Sequence, residues 1–207
     1  MPAMTGMRGT AGARLYLAIA RSLIELSSCD MSKTVTSQTP FLAHAVVVMG
    51  VSGCGKSSLA QAIAQDLEGT LLEGDVFHPA ASQEKMAQGT PLTDQDRAGW
   101  LVTLGEALAR RTDEHIVLSC SALKQSYRDT LRSYTPNLRF VYLDISPATA
   151  LARVSSRAVA EGHFFPATLV DNQFATLEVP TGEAGVLTVD ATAPLPELVA
   201  QVRAWLG

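Results

Sequence analysis

The sequence predicts an α/β fold, a parallel five-stranded sheet lying between two layers of helices. Three observations carry this expectation. The run Ala45-Val46-Val47-Val48-Met49 is wholly apolar and reads as a strand buried on both faces. A glycine-rich turn, Gly50 to Ser57, follows it at once, and Leu59, Ala62, Ile63 and Leu67 then recur at helical spacing. Beyond that point short apolar runs alternate with helical periods, which makes the strands parallel and puts helices on both faces. No internal repeat is visible.

Taken in order, the first helix ends near Leu67, with Gly69 as its C′ residue. Thr70-Leu71-Leu72 forms a second strand and leads into Glu73-Gly74-Asp75-Val76-Phe77-His78-Pro79. Carboxylates directly after a parallel strand lie at the edge where such folds bind ligands. A helix over residues 82–87 is stopped by Gly89 and Pro91, and Thr93-Asp94-Gln95-Asp96 reads as a capping-box start. That next helix carries Trp100, Leu101, Leu104 and Leu108 to about Arg111.

The third strand spans residues 115–120 and ends on small polar residues, Ser119 and Ser121. A basic helix follows over 124–134. The fourth strand covers 138–144, and Pro147 suits the first turn of the helix bearing Leu151, Arg153, Val154 and Arg157. Residues 158–166 break the helical period, contain Gly162 and read as a short lid. Helix returns over 167–177. A fifth strand at 185–190 and a closing helix at 195–206 complete the chain.

Composition narrows the function. The 207 residues, 47% of them apolar, suffice for one well-cored domain, expected over 44–207. A net charge of −4 argues against a nucleic-acid binder. The three cysteines, Cys29, Cys54 and Cys120, match no metal-ligand spacing and suit a reducing compartment, the cytoplasm. Residues 1–43 read as an extension or over-long start, frayed or loosely packed. Met31 or a neighbour would open the domain proper. Its apolar stretch, residues 15–20, is far too short to span a bilayer. Arg8, Arg14 and Arg21 give it a faint targeting-peptide character.

The chemistry starts from Gly50-Val51-Ser52-Gly53-Cys54-Gly55-Lys56-Ser57-Ser58, a phosphate-binding loop set between strand and helix. Its glycines let successive N–H groups curl into a nest for anionic oxygens, reinforced by the helix N-terminus. Lys56 reaches the β- and γ-phosphates of a nucleoside triphosphate, and the Ser57 hydroxyl is placed to hold Mg²⁺. Cys54 fills space where a small side chain is needed.

Phosphoryl transfer also needs a group orienting the attacking hydroxyl, cations on the transferring phosphate and exclusion of water. Asp75 is the candidate for the first, its competing reading being a helix cap. Arg153 and Arg157, four apart on one helical face, are candidates for the second, although a solvated face has the same spacing. The lid would supply the third. On the acceptor side, His78, Lys85, Arg97, Lys124 and Arg128 follow strands two and three. Together they suit an anionic, hydroxyl-bearing substrate, while each alone is an ordinary turn or surface residue.

Longer blocks carry a resemblance. Glu73-Gly74-Asp75-x-x-His78-Pro79 runs on to Lys85-Met86-x-x-Gly89-x-Pro91-Leu92-x-Asp94-x-Asp96-Arg97-x-x-Trp100-Leu101. Next comes Cys120-Ser121-Ala122-Leu123-Lys124-x-x-Tyr127-Arg128-Asp129-x-Leu131-Arg132. Last are Gly162-His163-Phe164-Phe165-Pro166 and Gln173-Phe174-x-x-Leu177-Glu178-x-Pro180. Over about residues 46–201 the chain resembles the gluconate kinase (gluconokinase) family. The resemblance implies a P-loop NTPase fold of the nucleoside-monophosphate-kinase-like branch, a three-layer α/β/α sandwich with sheet order 2-3-1-4-5, and a homodimer. It implies ATP-dependent conversion of D-gluconate to 6-phosphogluconate with Mg²⁺. Asp75 would position or deprotonate the 6-hydroxyl, and His78, Lys85, Arg97, Lys124 and Arg128 would line the sugar-acid pocket. Arg153 would lie over the adenine and Arg157 near the phosphates.

The chain departs from the family pattern at Ser82, where asparagine is usual, at Ala98-Gly99 before Trp100, and in a longer lid. Two competing readings use the same loop. One is a kinase for another hydroxy acid such as shikimate. The other is a nucleotide-dependent switch, for which neither a γ-phosphate-reading loop nor a partner surface is visible.

Overall fold

A computed structural model of the chain describes residues 44–161 and 167–207. The 1–43 extension and residues 162–166 of the expected lid lie outside these residues. Five strands form one parallel sheet in the order β2-β3-β1-β4-β5, the order the family resemblance implies. They are β1 (Ala45–Met49), β2 (Thr70–Glu73), β3 (Ile116–Ser119), β4 (Arg139–Asp144) and β5 (Val186–Asp190). The helices are α1 (Lys56–Asp66), α2 (Ala80–Ala87), α3 (Asp94–Ala109), α4 (Gln125–Tyr134), α5 (Pro147–Glu161), α6 (Ala167–Thr176) and α7 (Leu195–Leu206).

The strand β1 reads as a continuous apolar run because both of its faces are covered. Val46 and Val48 join a core with Leu59 and Ile63 of α1 and Leu198 and Val202 of α7. Val47 and Met49 join a second core with Trp100, Leu104 and Leu108 of α3 and Leu131 of α4. All four strand side chains are completely buried. Each burial of this kind contributes roughly 1.5–3 kcal/mol before chain entropy is counted. The central strand thus fixes the height of the loop that leaves its carboxyl end.

Several boundaries differ from the sequence reading for identifiable reasons. The expected break at residue 158 is absent from the backbone, since α5 continues to Glu161. The left-handed residue after α1 is Glu68, at φ 52°, not Gly69. Glu68 N–H donates to the carbonyl of Gln65 at 3.3 Å and Gly69 N–H to that of Ala64 at 2.8 Å, the paired bonds of a Schellman motif. Glycine is required at 69 for proximity instead, because a Cβ there would stand 2.6 Å from the His115 carbonyl oxygen. The capping box at α3 forms as read: Thr93 Oγ1 accepts from Asp96 N–H at 3.2 Å, and Thr93 N–H donates to Asp96 Oδ2 at 2.9 Å.

Candidate active site

The loop after β1 takes its shape from backbone angles only glycine adopts freely. Gly53 and Gly55 have φ of 83° and 101°. A Cβ on Gly53 would press to 2.5 Å from the Ala150 carbonyl oxygen, so the loop is seated against the first turns of α5. A Cβ on Gly55 would meet nothing within 4 Å, which marks the open side of the cradle, at the N-terminus of α1. Lys56 arches back across the loop, its Nζ donating to the Val51 carbonyl at 3.0 Å. Space, N–H groups and a cation therefore suit phosphate oxygens.

Ser57, next in line, donates from Oγ to Glu73 Oε2 at 3.2 Å and lies 3.4 Å from Ser119 Oγ. The described residues contain no cluster of three or more metal-binding His, Cys, Asp or Glu side chains. A hydroxyl backed by one carboxylate fits Mg²⁺ nonetheless, since that ion commonly takes few protein oxygens and completes its shell with phosphate oxygens and water. Glu73 was not among the sequence candidates. Only its position at the end of β2 hinted at it.

Asp75 is carried on a single 3₁₀ turn, Gly74–Phe77, directly after β2. Trp100 Nε1 donates to the Gly74 carbonyl at 2.8 Å, and a Cβ on Gly74 would come within 2.6 Å of the Ser119 carbonyl oxygen. The turn is thus pinned from the α3 side and pressed onto β3. Lys56 and Asp75 both line one cleft of about 300 Å³, together with His78, Arg97, Ser121 and Asn172.

His78 is 6% exposed and stacks on Trp100, with ring centroids 4.1 Å apart. Its Nδ1 has no hydrogen-bond partner among the described residues, an unused hydrogen-bonding position in a buried group. Burial pushes its pKa below the ordinary 6.5, and the charge of Arg97 does the same, against an opposing pull from Asp75. Arg97 donates through Nη1 to the Leu92 carbonyl at 2.6 Å, which aims the guanidinium along the cleft wall.

The other expected substrate cations stand elsewhere and do not line the cleft. Lys85 pairs with Asp96 at 2.7 Å and Lys124 with Asp94 at 2.7 Å. Both carboxylates belong to the first turn of α3. The hydrogen bond from Lys124, with a second from Tyr127, holds Asp94 below the usual carboxylate range and in return raises Lys124. Arg128 is a correction to the pocket reading, because its side chain is 1% exposed and fully engaged. Its Nε and Nη2 grip Glu183 at 2.7–3.0 Å, and its Nη1 donates to the Ala122 and Leu123 carbonyls. Burial alone would raise the Glu183 carboxyl, but Arg128 and Arg132 together draw it below its ordinary value. Ser82, a residue of α2, is buried and does not line the cleft either.

On the opposite side of the loop, Arg153 and Arg157 border an open groove with Gly53, Gly55 and Ser58. Arg153 Nη2 donates to the Ala191 carbonyl at 3.0 Å. The fourth wall of the cleft is α6, which sequence reasoning left unassigned. Leu169, Asn172, Gln173 and Thr176 recur there at helical spacing, and Gln173 Oε1 accepts from Ser52 N–H of the loop at 2.6 Å. An anion cradle and a carboxylate thus share a cleft whose far wall carries a guanidinium and a neutral imidazole.

A family model described as an AAA domain matches residues 46–180. The thermoresistant gluconokinase of Escherichia coli (strain K12) is 44% identical over 160 residues, 76% of this chain and 90% of that protein. The gluconokinase of Gluconobacter oxydans (strain 621H) is 45% identical over 146 residues, 70% and 80% of the two chains. The crystal structure of a gluconokinase from Sinorhizobium meliloti 1021 superposes with a TM-score of 0.72 at 46% identity, over 80% of this chain and 92% of that one.

Proposed function

We propose that this chain, which belongs to the gluconokinase family, transfers the γ-phosphoryl group of ATP to the 6-hydroxyl of D-gluconate, giving 6-phospho-D-gluconate and ADP. The observation that carries the reading is the shared cleft. Lys56 and Asp75 border it, and Arg97 and His78 offer a cation and a hydrogen-bonding nitrogen to a sugar acid.

The division of labour follows from the chemistry of each group. Loop N–H groups and Lys56 stabilise charge on the transferring phosphoryl group. Ser57 would hold Mg²⁺ with Glu73 behind it, and the bound ion would neutralise phosphate charge. Asp75 accepts the proton of the attacking hydroxyl. Arg97 grips the carboxylate of gluconate, and His78 offers Nδ1 to one of its hydroxyls. Lys85 and Lys124 act one step back, as ties on the first turn of α3 that present Arg97. Arg153 lies toward the nucleotide base, with Arg157 nearer the phosphates. The same reading places the protein in gluconate utilisation, feeding the pentose phosphate pathway, as a homodimer in the cytoplasm. The free thiols Cys54 and Cys120 suit such a reducing compartment.

A coupled ADP-release assay with gluconate, with shikimate and with no acceptor tests the proposal. Release that depends on gluconate is expected. Release indifferent to the acceptor would make the protein a nucleotide hydrolase, and preference for shikimate would move the substrate.

A further inference from the structure

We propose that Gln173 reads the terminal phosphate of the bound nucleotide, separating triphosphate from diphosphate through its side-chain amide. This rests on the phosphotransfer reading only in taking the ligand to be a nucleoside triphosphate.

The geometry is specific. Ser52 is the third residue of the phosphate-binding loop, and both it and Gln173 line the acceptor cleft. The Ser52 N–H is satisfied by Gln173 Oε1 at 2.6 Å, across 121 residues of chain. A side-chain oxygen thus occupies one donor of the nest. That arrangement is incompatible with a terminal phosphate drawn to the same donors, because two electron-rich oxygens would then face each other across the loop.

A glutamine resolves the conflict in place. Its terminal torsion is broad and roughly two-fold, so turning the amide over costs little. Nε2 then faces the loop and donates to a phosphate oxygen, a charge-assisted bond stronger than the one given up. A diphosphate places no oxygen at that end of the cradle and leaves the first arrangement intact. Since α6 also carries Asn172 and Thr176 into the cleft, the amide registers the phosphate on the same helix that borders the acceptor.

Gln173→Glu separates this role from packing. Glutamate keeps the shape and the acceptor toward Ser52 N–H but has no N–H to turn toward phosphate and adds a charge that repels it, so the neutral Gln173→Ala variant reads the lost hydrogen bond without that repulsion. Calorimetric titration with ADP and with a non-hydrolysable ATP analogue, with Mg²⁺ and without acceptor, reads the outcome. The variant is expected to lose about tenfold or more in affinity for the ATP analogue, the scale of one charge-assisted hydrogen bond. Its ADP affinity should stay within about twofold, and Gln173→Ala should lose triphosphate preference to a smaller degree. Equal weakening for both nucleotides, or no change for either, would overturn the proposal. Because no acceptor is present, a wrong sugar acid would leave this result untouched. Wild-type protein that bound neither nucleotide would remove both readings together.

Discussion

Lys124 Nζ stands 2.8 Å and 2.7 Å from the two carboxylate oxygens of Asp94, so the charge that resembled a substrate ligand is already spent. Lys85 is held the same way by Asp96. Arg97, one residue beyond that pair of acids, donates through Nη1 to the Leu92 backbone carbonyl and, among the described residues, pairs with no carboxylate. Replacing Arg97 by Ala should raise KM for gluconate by about 10–100-fold, the scale of one lost bidentate or charge-assisted contact. Lys124→Ala breaks a partly exposed pair worth about 0–1 kcal/mol and should change KM by less than about fivefold. Steady-state kinetics of the two variants decides the matter. A Lys124 variant as impaired as the Arg97 variant would return the lysine to the substrate.

Asp75 sits on a turn whose backbone is pinned by Trp100 and lines the same cleft as Lys56. Asp75→Asn keeps the size and removes the base. Turnover should fall by about 10²–10⁴-fold, the range of general-base contributions, with nucleotide affinity nearly unchanged. Comparing kcat with a nucleotide titration checks this. Lost nucleotide binding would recast the carboxylate as part of the metal site.

Glu73 touches Ser57 directly. If Ser57 holds Mg²⁺, the carboxylate behind it orients that hydroxyl and adds negative charge near the ion. Glu73→Gln should raise the Mg²⁺ concentration needed for half-maximal nucleotide binding by about 10-fold, as loss of an outer-shell partner does. Titrating Mg²⁺ at fixed nucleotide, by tryptophan fluorescence or calorimetry, measures it. An unshifted Mg²⁺ midpoint would leave Glu73 as a mere partner for Ser57.

How much of this site was legible depended on the range of the information. The phosphate loop could be read because strand, glycines and helix are contiguous, and the capping box of α3 because Thr93 and Asp96 are three residues apart. The fate of the cations could not. Arg128 and Glu183 are 55 residues apart, and Lys124 and Asp94 are 30. A lone basic residue on a helix looks the same whether it meets substrate or a distant carboxylate. The α6 wall was missed for a related reason. Leu169, Asn172, Gln173 and Thr176 share a face by periodicity, but only tertiary packing decides what that face meets. Glu68 shows the same limit at short range: glycine at 69 advertised a left-handed residue, and proximity to His115 was its real cause.

The buried imidazole gives a pH signature. The folded-state pKa of His78 lies below its ordinary 6.5, chiefly through burial. The unfolded chain therefore binds the proton first as pH falls, so stability is highest above about 6.5 and declines below it. His44 is lowered too and adds a decline of the same sign. Unfolding midpoints between pH 7.5 and 5 should fall for the wild type and fall less steeply for His78→Gln. Parallel curves would mean that His78 takes its proton as readily folded as unfolded.

Arg128 supplies the complementary case, a charge whose removal should hurt the fold and spare the chemistry. It is a buried residue of α4, paired with Glu183 and bonded to two carbonyls of the segment before that helix. Arg128→Met leaves Glu183 with Arg132 alone, 2.6 Å away, and takes the donor from the buried Ala122 carbonyl, whereas the Leu123 carbonyl keeps the Glu178 N–H at 2.9 Å. Breaking a buried pair from one side costs about 3–5 kcal/mol, or roughly 6–20 °C in Tm for a domain of this size. The double variant Arg128→Met, Glu183→Leu should recover part of the loss, because two apolar groups can replace a buried pair without an orphaned charge. At a temperature where Arg128→Met is still folded, KM for gluconate should stay within about threefold, since the guanidinium does not border the cleft. Thermal melts alongside steady-state kinetics separate the outcomes: an unchanged Tm with a sharply raised KM would put Arg128 back among the substrate ligands.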